Sequence, residues 1–252
     1  MNRRARAAHH RPMSTRPQWW VPTSLILVSA VPVAAGAYRM AQLIGGAAIT
    51  PENARFFASP APVTVHIVTV TGFTVLGAFQ FVPRLRRHRW HRVAGRVLIP
   101  CGLLATGSGL WMTLFYPRPE NVGDLLEAFR LVFGTAMAGS LVLGLAAIRR
   151  RDVARHRAWL IRAYAIALGA GTQAVFIGGW TGAAGAPGET TLALLHAAAW
   201  GFNLGVAELL IRRVRDGRAA TRSSSSPAFR TAGRTARRWR RPDPSGAEPG
   251  GS

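Results

Sequence analysis

Residues 126 to 162 read LEAFRLVFGTAMAGSLVLGLAAIRRRDVARHRAWLIR. The run from 126 to 148 is apolar and has the length of roughly 20 residues that a helix needs to cross a hydrocarbon core about 30 Å thick. It ends in a block of arginines from 149 to 162. The same alternation recurs along the chain. Arginines bunch at 3 to 16, 84 to 96, 149 to 162 and 212 to 241, and the stretches between are apolar and nearly uncharged. Basic blocks separated by spanning-length runs report membrane topology, because loops retained in the cytoplasm accumulate positive charge.

The runs at about 22 to 45, 62 to 82, 95 to 116, 126 to 148, 158 to 181 and 190 to 212 predict an all-α, polytopic bundle of six transmembrane helices. None alternates with period two, and in lipid the backbone must satisfy its own hydrogen bonds, which favours helices. Three regions follow: a basic leader at 1–20, a transmembrane domain at 21–213 and a disordered basic tail at 214–252, rich in Arg, Ser, Pro and Gly with little to bury. Glycines at Gly102, Gly107, Gly109, Gly134, Gly139, Gly144, Gly178 and Gly182 are expected to let neighbouring helices approach closely. A rival reading takes the first run as a secretory signal cleaved after Ala35-Gly36-Ala37. The long basic leader and Pro32 within the run favour a span.

The chain of 252 residues carries a formal charge of +22, all 32 of its basic residues are Arg, and yet only 17% of its residues are charged. Its mean hydropathy is +0.14. Such charge on a soluble domain would point to nucleic acid, but here topology accounts for it and no specific nucleic-acid partner is implied. Placing residue 1 in the cytoplasm puts every arginine on the inner side except Arg39, Arg55, Arg118 and Arg130, and puts Glu52, Glu120, Asp124, Glu127 and Glu189 at the outer edge. The expected location is a bacterial inner membrane with both termini cytoplasmic. The tail would lie against anionic lipid headgroups, at about 1 kcal/mol per basic residue near the surface. Cys101 is the one cysteine, which excludes an intrachain disulfide and a Cys-ligated metal.

The histidines carry the chemical signal. His66 and His196 lie a few residues inside the second and sixth spans from the outer side. His91 and His156 precede the third and fifth spans on the inner side, with His88 nearby, whereas His9 and His10 fall in the leader. Two imidazoles on facing helices can give the axial ligands of a b-type haem, and pairs near opposite faces suit electron transfer across a bilayer. The plainer alternative is hydrogen bonding between helices. Arg39, Gln173 and Asn203 are further polar groups in the spans. Arg130 has Glu127 one turn before it for local neutralisation, and Arg162 is placed to reach Glu208. Fourteen residues separate His66 from Gln80, which at 100° per residue leaves them about 40° apart on one face, with Thr69 and Phe73 continuing the stripe. No phosphate-binding loop, zinc-protease motif or hydrolytic carboxylate pair is present.

Two stretches, HIVTVTGFTVLGAFQFVPRLRRHRWHRVAGR from His66 to Arg96 and RRRDVARHRAWLIRAYA from Arg149 to Ala165, resemble the predicted bacterial membrane protein family called domain of unknown function 2306. The matching positions are His66, Gln80, Phe81, His91, Arg92, Gly95, Arg96, His156, Arg157, Trp159, Ile161, Arg162 and Tyr164, over roughly residues 25 to 212. The resemblance implies the six-span topology and no activity. From the histidines, the leading expectation is a membrane redox component that binds haem b at His66 and His196, with His91 and His156 as an inner pair, or that handles a quinone. The alternatives are a permease-like transporter with His66, Gln80, Arg130 and Arg162 lining its path, and an assembly protein docking partners on its glycine-rich faces.

Overall fold

The computed structural model describes residues 19–82, 85 and 89–224. The leader through residue 18 with His9 and His10, the loop residue His88, and the tail from residue 225 lie outside the described residues. Among the described residues eight helices run in chain order: α1 (Trp20–Gly45), α2 (Ala54–Ala58), α3 (Pro60–Phe79), α4 (Arg89–Phe115), α5 (Asp124–Arg149), α6 (Val153–Ala167), α7 (Gly169–Ala184) and α8 (Glu189–Ser224). Six helical stretches among them are long and apolar enough to cross a membrane, with α6 and α7 together forming the fifth. The protein is an all-α, polytopic membrane protein. Residues 1–207 form one compact unit, which contains α8 as far as Ala207, and residues 208–252 form a second.

Several helix ends differ from the sequence expectation, each for a physical reason. The third span begins at Arg89, two turns early, because arginines are good helix formers and their long stems reach past the apolar core to the interface. The first turn of α6 is likewise basic, and Asp152 caps it by accepting from the Arg155 backbone N–H at 2.9 Å. The second span stops at Phe79, where the N–H of Gln80 turns back to the Gly77 carbonyl. The sixth helix runs on to Ser224, past residue 213 where the tail was expected to begin. The fifth span, expected to be continuous, is interrupted at Leu168.

In the first unit α3 packs on α4, α4 on α5 and α5 on α6, while α1 lies against α3 and α7. The core joins Phe73, Ala94, Leu98, Met137, Leu141, Ala163, Tyr164 and Ile166. Residues such as Leu27, Val31, Val68, Val132 and Leu209 are exposed on helix surfaces, as expected of side chains whose solvent is lipid. Close approach is bought at some of the expected glycines and not at others. A methyl at Gly102 would meet Phe73 and Leu141 at 2.9 Å, one at Gly134 would meet Leu110 at 2.6 Å, and Gly144 receives Leu160. Gly107, Gly139, Gly178 and Gly182 face open space, so the docking role expected of them is not one they play within this chain. Gly77, Gly169 and Gly171, which were not singled out, are close-packed against Tyr164, Trp200 and the Val28 carbonyl. In α1 the helix continues through Ala35-Gly36-Ala37, and Gly36 packs on Ile67 of α3.

Tyr164 sits at the centre. Its ring fills the notch at Gly77 and lies 5.0 Å from Phe81 and 5.9 Å from Phe73. Its buried hydroxyl donates to the Thr74 carbonyl at 2.6 Å. Replacing Tyr164 by Phe is expected to cost about 1 kcal/mol, and Gly77→Val about 1–3 kcal/mol through overpacking. Both are read as a lowered temperature at which the half-buried Cys101 thiol becomes open to alkylation in detergent.

Candidate functional site

Helices α3, α5 and α8 all begin at one end of the first unit, where α4 and α7 finish, and Glu52, Glu120, Asp124, Glu127 and Glu189 lie in the loops and helix starts there. His66 is the seventh residue of α3, Arg130 the seventh of α5 and His196 the eighth of α8. At 1.5 Å per residue all three lie about 10 Å from that end. They line one cavity of about 420 Å³ together with Gln173, Thr106 and Trp200, a volume within the roughly 300–1,000 Å³ of small-molecule sites. A second, smaller cavity of about 130 Å³ meets the first at His66 and extends between α1, α3 and the break in the fifth span.

Both imidazoles are oriented by their own Nδ1 atoms. His66 Nδ1 lies 2.8 Å from the Ala105 carbonyl on α4, and His196 Nδ1 lies 2.8 Å from the Leu192 carbonyl one turn back. A carbonyl oxygen can only accept, so Nδ1 carries the proton in each ring and the neutral imidazole keeps its lone pair on Nε2. That is the tautomer in which histidine binds a metal, with the ring fixed by its outer hydrogen bond. Gly109 makes room for His66, since a methyl there would stand 3.2 Å from the ring. Among the described residues no cluster of three or more His, Cys, Asp or Glu forms a metal cage.

Arg130 has Glu127 nearby as expected but makes no hydrogen bond to it. Both oxygens of Glu127 are taken by Arg118, whose Nε and Nη2 donate at 2.9 and 2.6 Å, and whose Nη1 reaches Asp124 at 2.6 Å. Hydrogen bonds from Asp124 first, then Glu127, hold the Arg118 guanidinium above its ordinary pKa. The rim continues with Phe56 of α2 edge-on to Tyr116 at 5.6 Å, with the guanidinium carbons of Arg39 and Arg55 at 4.4 and 4.7 Å from the Phe56 ring centre. The Tyr116 hydroxyl donates to Ser59, and burial pushes its pKa above the usual phenol value. Burial, then the neighbouring Arg39, lowers that of Arg55.

The floor of the cavity is the break at Leu168. Asn203 of α8 holds both sides of it, donating to the Ala165 carbonyl at 3.2 Å and accepting from the Thr172 hydroxyl at 3.0 Å. Trp200, one turn before Asn203, packs onto Gly169 and stacks on Phe133 at 4.6 Å. Gln173, in the first turns of α7, is buried and its Nε2 has no hydrogen-bond partner.

The structure thus brings together His66, His196 and Arg130 and leaves the other sequence candidates elsewhere. Gln80 caps α3 at the opposite end. His91 lies in the first turn of α4, and His156 donates from Nδ1 to the Gly144 carbonyl at 2.8 Å, tying α6 to α5. Neither lines either cavity. The Arg162 guanidinium lies 4.7 Å from the Trp159 ring centre, and Glu208 belongs to the second unit. Trp200, Arg55 and Tyr116 are cavity residues that the sequence reading did not assign. Trp200 was signalled by its place four residues after His196, on the same helix face.

The sequence profile described as "Predicted membrane protein (DUF2306)" matches residues 63–211. The match starts within α3, so α1 and α2 lie outside it, although the resemblance was expected to reach back to about residue 25. No curated protein and no solved structure matches the chain. Replacing Asn203 by Leu is expected to cost about 1–3 kcal/mol by leaving the buried groups at the break unpaired. Hydrogen exchange should then accelerate over residues 165–172 while α4 stays protected.

Proposed function

Because the chain belongs to the DUF2306 family of predicted membrane proteins, a designation that carries no activity, we propose its function from the cavity: a membrane redox component that holds a b-type haem between His66 and His196. The observation that carries this reading is the shared tautomer. Two imidazoles from separate helices lie at equal depth, each with its Nδ1 proton committed to a carbonyl and its Nε2 free for iron, on the wall of one cavity. Haem supplies one-electron redox chemistry when bound. The chain's own part is to fix both rings, to wall the site with Trp200, Met112 and Met137 against bulk water, and to surround it with positive charge from Arg55 and Arg130, which favours the reduced state. His91 and His156 are kept as an inner pair only in the sense of sequence position. The same hydrogen-bonding groups suit a quinone headgroup, which would leave no haem absorbance.

A permease-like role is the second reading, favoured by the interrupted fifth span. Helices broken near mid-membrane commonly expose their ends to a transported ligand. The orientation proposed with either reading puts the arginine-rich helix ends in the cytoplasm and opens the cavity on the other face of a bacterial inner membrane.

The detergent-purified protein is expected to show a Soret band and reduced-minus-oxidised α and β bands of a b-type cytochrome. Loss of the low-spin spectrum in the His66→Ala/His196→Ala variant is expected as well. A preparation with no Soret band after haem supplementation would overturn the haem reading in favour of quinone or transport. For orientation, a C-terminal fluorescent-protein fusion should glow and a C-terminal alkaline phosphatase fusion should be inactive; the opposite pair would reverse the topology.

A further inference from the structure

A guanidinium inside a bilayer is costly unless something answers its charge. Arg130 lies on the cavity wall about 9 Å along α5, yet it makes no hydrogen bond or ion pair with a described residue, because the carboxylate one turn away is bound in a fork by Arg118. On the same wall stands Gln173, 8% exposed, with both its burial and its unsatisfied Nε2 arguing for a missing acceptor. Gln173 belongs to the first turns of α7, whose start is at the break in the fifth span, so the positive end of a half-helix also faces this region. Ala170 of that opening turn lines both cavities. Three donors therefore meet one cavity, and the one carboxylate in its lining, Glu127, already has both oxygens bound by Arg118.

We propose that this cavity contains an anion subsite, formed by Arg130, Gln173 and the first turn of α7, that takes the carboxylate of a partly apolar organic molecule. A carboxylate offers two acceptor oxygens to the guanidinium fork and amide, and Met137, Leu110 and Trp200 supply apolar walls for the rest of the ligand. Glu127 sets the strength of the subsite. While Arg118 holds it, Arg130 keeps its charge for the ligand. The subsite does not require iron at the imidazoles, and the carboxylate can come from a free organic acid or from the side chain of a bound porphyrin.

The test uses the full-length protein in detergent, with benzoate as probe and benzyl alcohol as its uncharged counterpart, by isothermal titration. Benzoate is expected to bind at least tenfold more tightly than benzyl alcohol. Arg130→Gln should abolish that preference, Gln173→Leu should reduce it and Glu127→Gln should increase it. Equal binding of the two probes, or a preference untouched by Arg130→Gln, overturns the proposal. Should Arg130→Gln fail to fold, the opposite shifts expected of Gln173→Leu and Glu127→Gln decide, and shifts in the same direction overturn it. If the protein purifies with a b-type chromophore, the carboxylate in the subsite is the cofactor's own. Arg130→Gln should then lower the midpoint potential and speed chromophore loss at unchanged axial spectrum, and an unaltered potential and retention would sink the idea.

Discussion

Side-chain donors bonded to the backbone carbonyls of neighbouring helices hold this bundle together. Within lipid, apolar surface gains little by moving from a tail to a neighbouring helix, so packing and hydrogen bonds must supply cohesion. Here His66 reaches Ala105, Tyr164 reaches Thr74, His156 reaches Gly144 and Asn203 reaches Ala165. Each carbonyl has a second lone pair to give beyond its helical bond, so these ties add contacts without dismantling a helix. They link α3 to α4, α6 to α3, α6 to α5 and α8 to α6. Glycine supplies the complement, as at Gly77 and Gly144, where a larger residue would hold the helices too far apart for the bonds to form.

The sequence made the spans and their alternation legible because hydropathy and arginine placement are properties of local composition. What composition does not encode is register between helices. His66 and His196 could be read as lying at similar depth, and His66 and Arg130 as lining one path, yet nothing in the spacing showed that Gln173 reaches the same cavity. Glu127 was the obvious partner for Arg130 at helical spacing, but a better fork formed with Arg118 from the preceding loop. The break at Leu168 was also hidden. The residues around it, Ala167, Gly169 and Ala170, have no proline among them, and the break is held by Asn203, far away in the chain. The glycines divided according to what faced them, which no pattern in one helix can supply.

The motif that carries the family resemblance and the cavity are largely different parts of the molecule. Of the motif positions only His66 lines the cavity, whereas Tyr164 and Phe81 belong to the packed centre and His156 to the α5–α6 contact. The motif therefore mostly builds a frame, and apart from His66 the polar and aromatic wall of the cavity, with Arg130, Gln173, His196 and Trp200, comes from outside it. The short turn between α5 and α6 belongs to that frame. Arg151 stands there at φ +60°, a conformation usually left to glycine, which places a charge where backbone comfort alone would have chosen none.

The depth of Arg130 has an electrical consequence. A charge lodged part of the way through a bilayer also sits part of the way through the transmembrane voltage, which is worth about 2.3 kcal/mol per elementary charge per 100 mV over the full thickness. Any anion answering Arg130 crosses a fraction of that drop to arrive. If an anion binds as proposed, its occupancy of the cavity would be coupled to the energised state of the membrane without a moving part dedicated to sensing it.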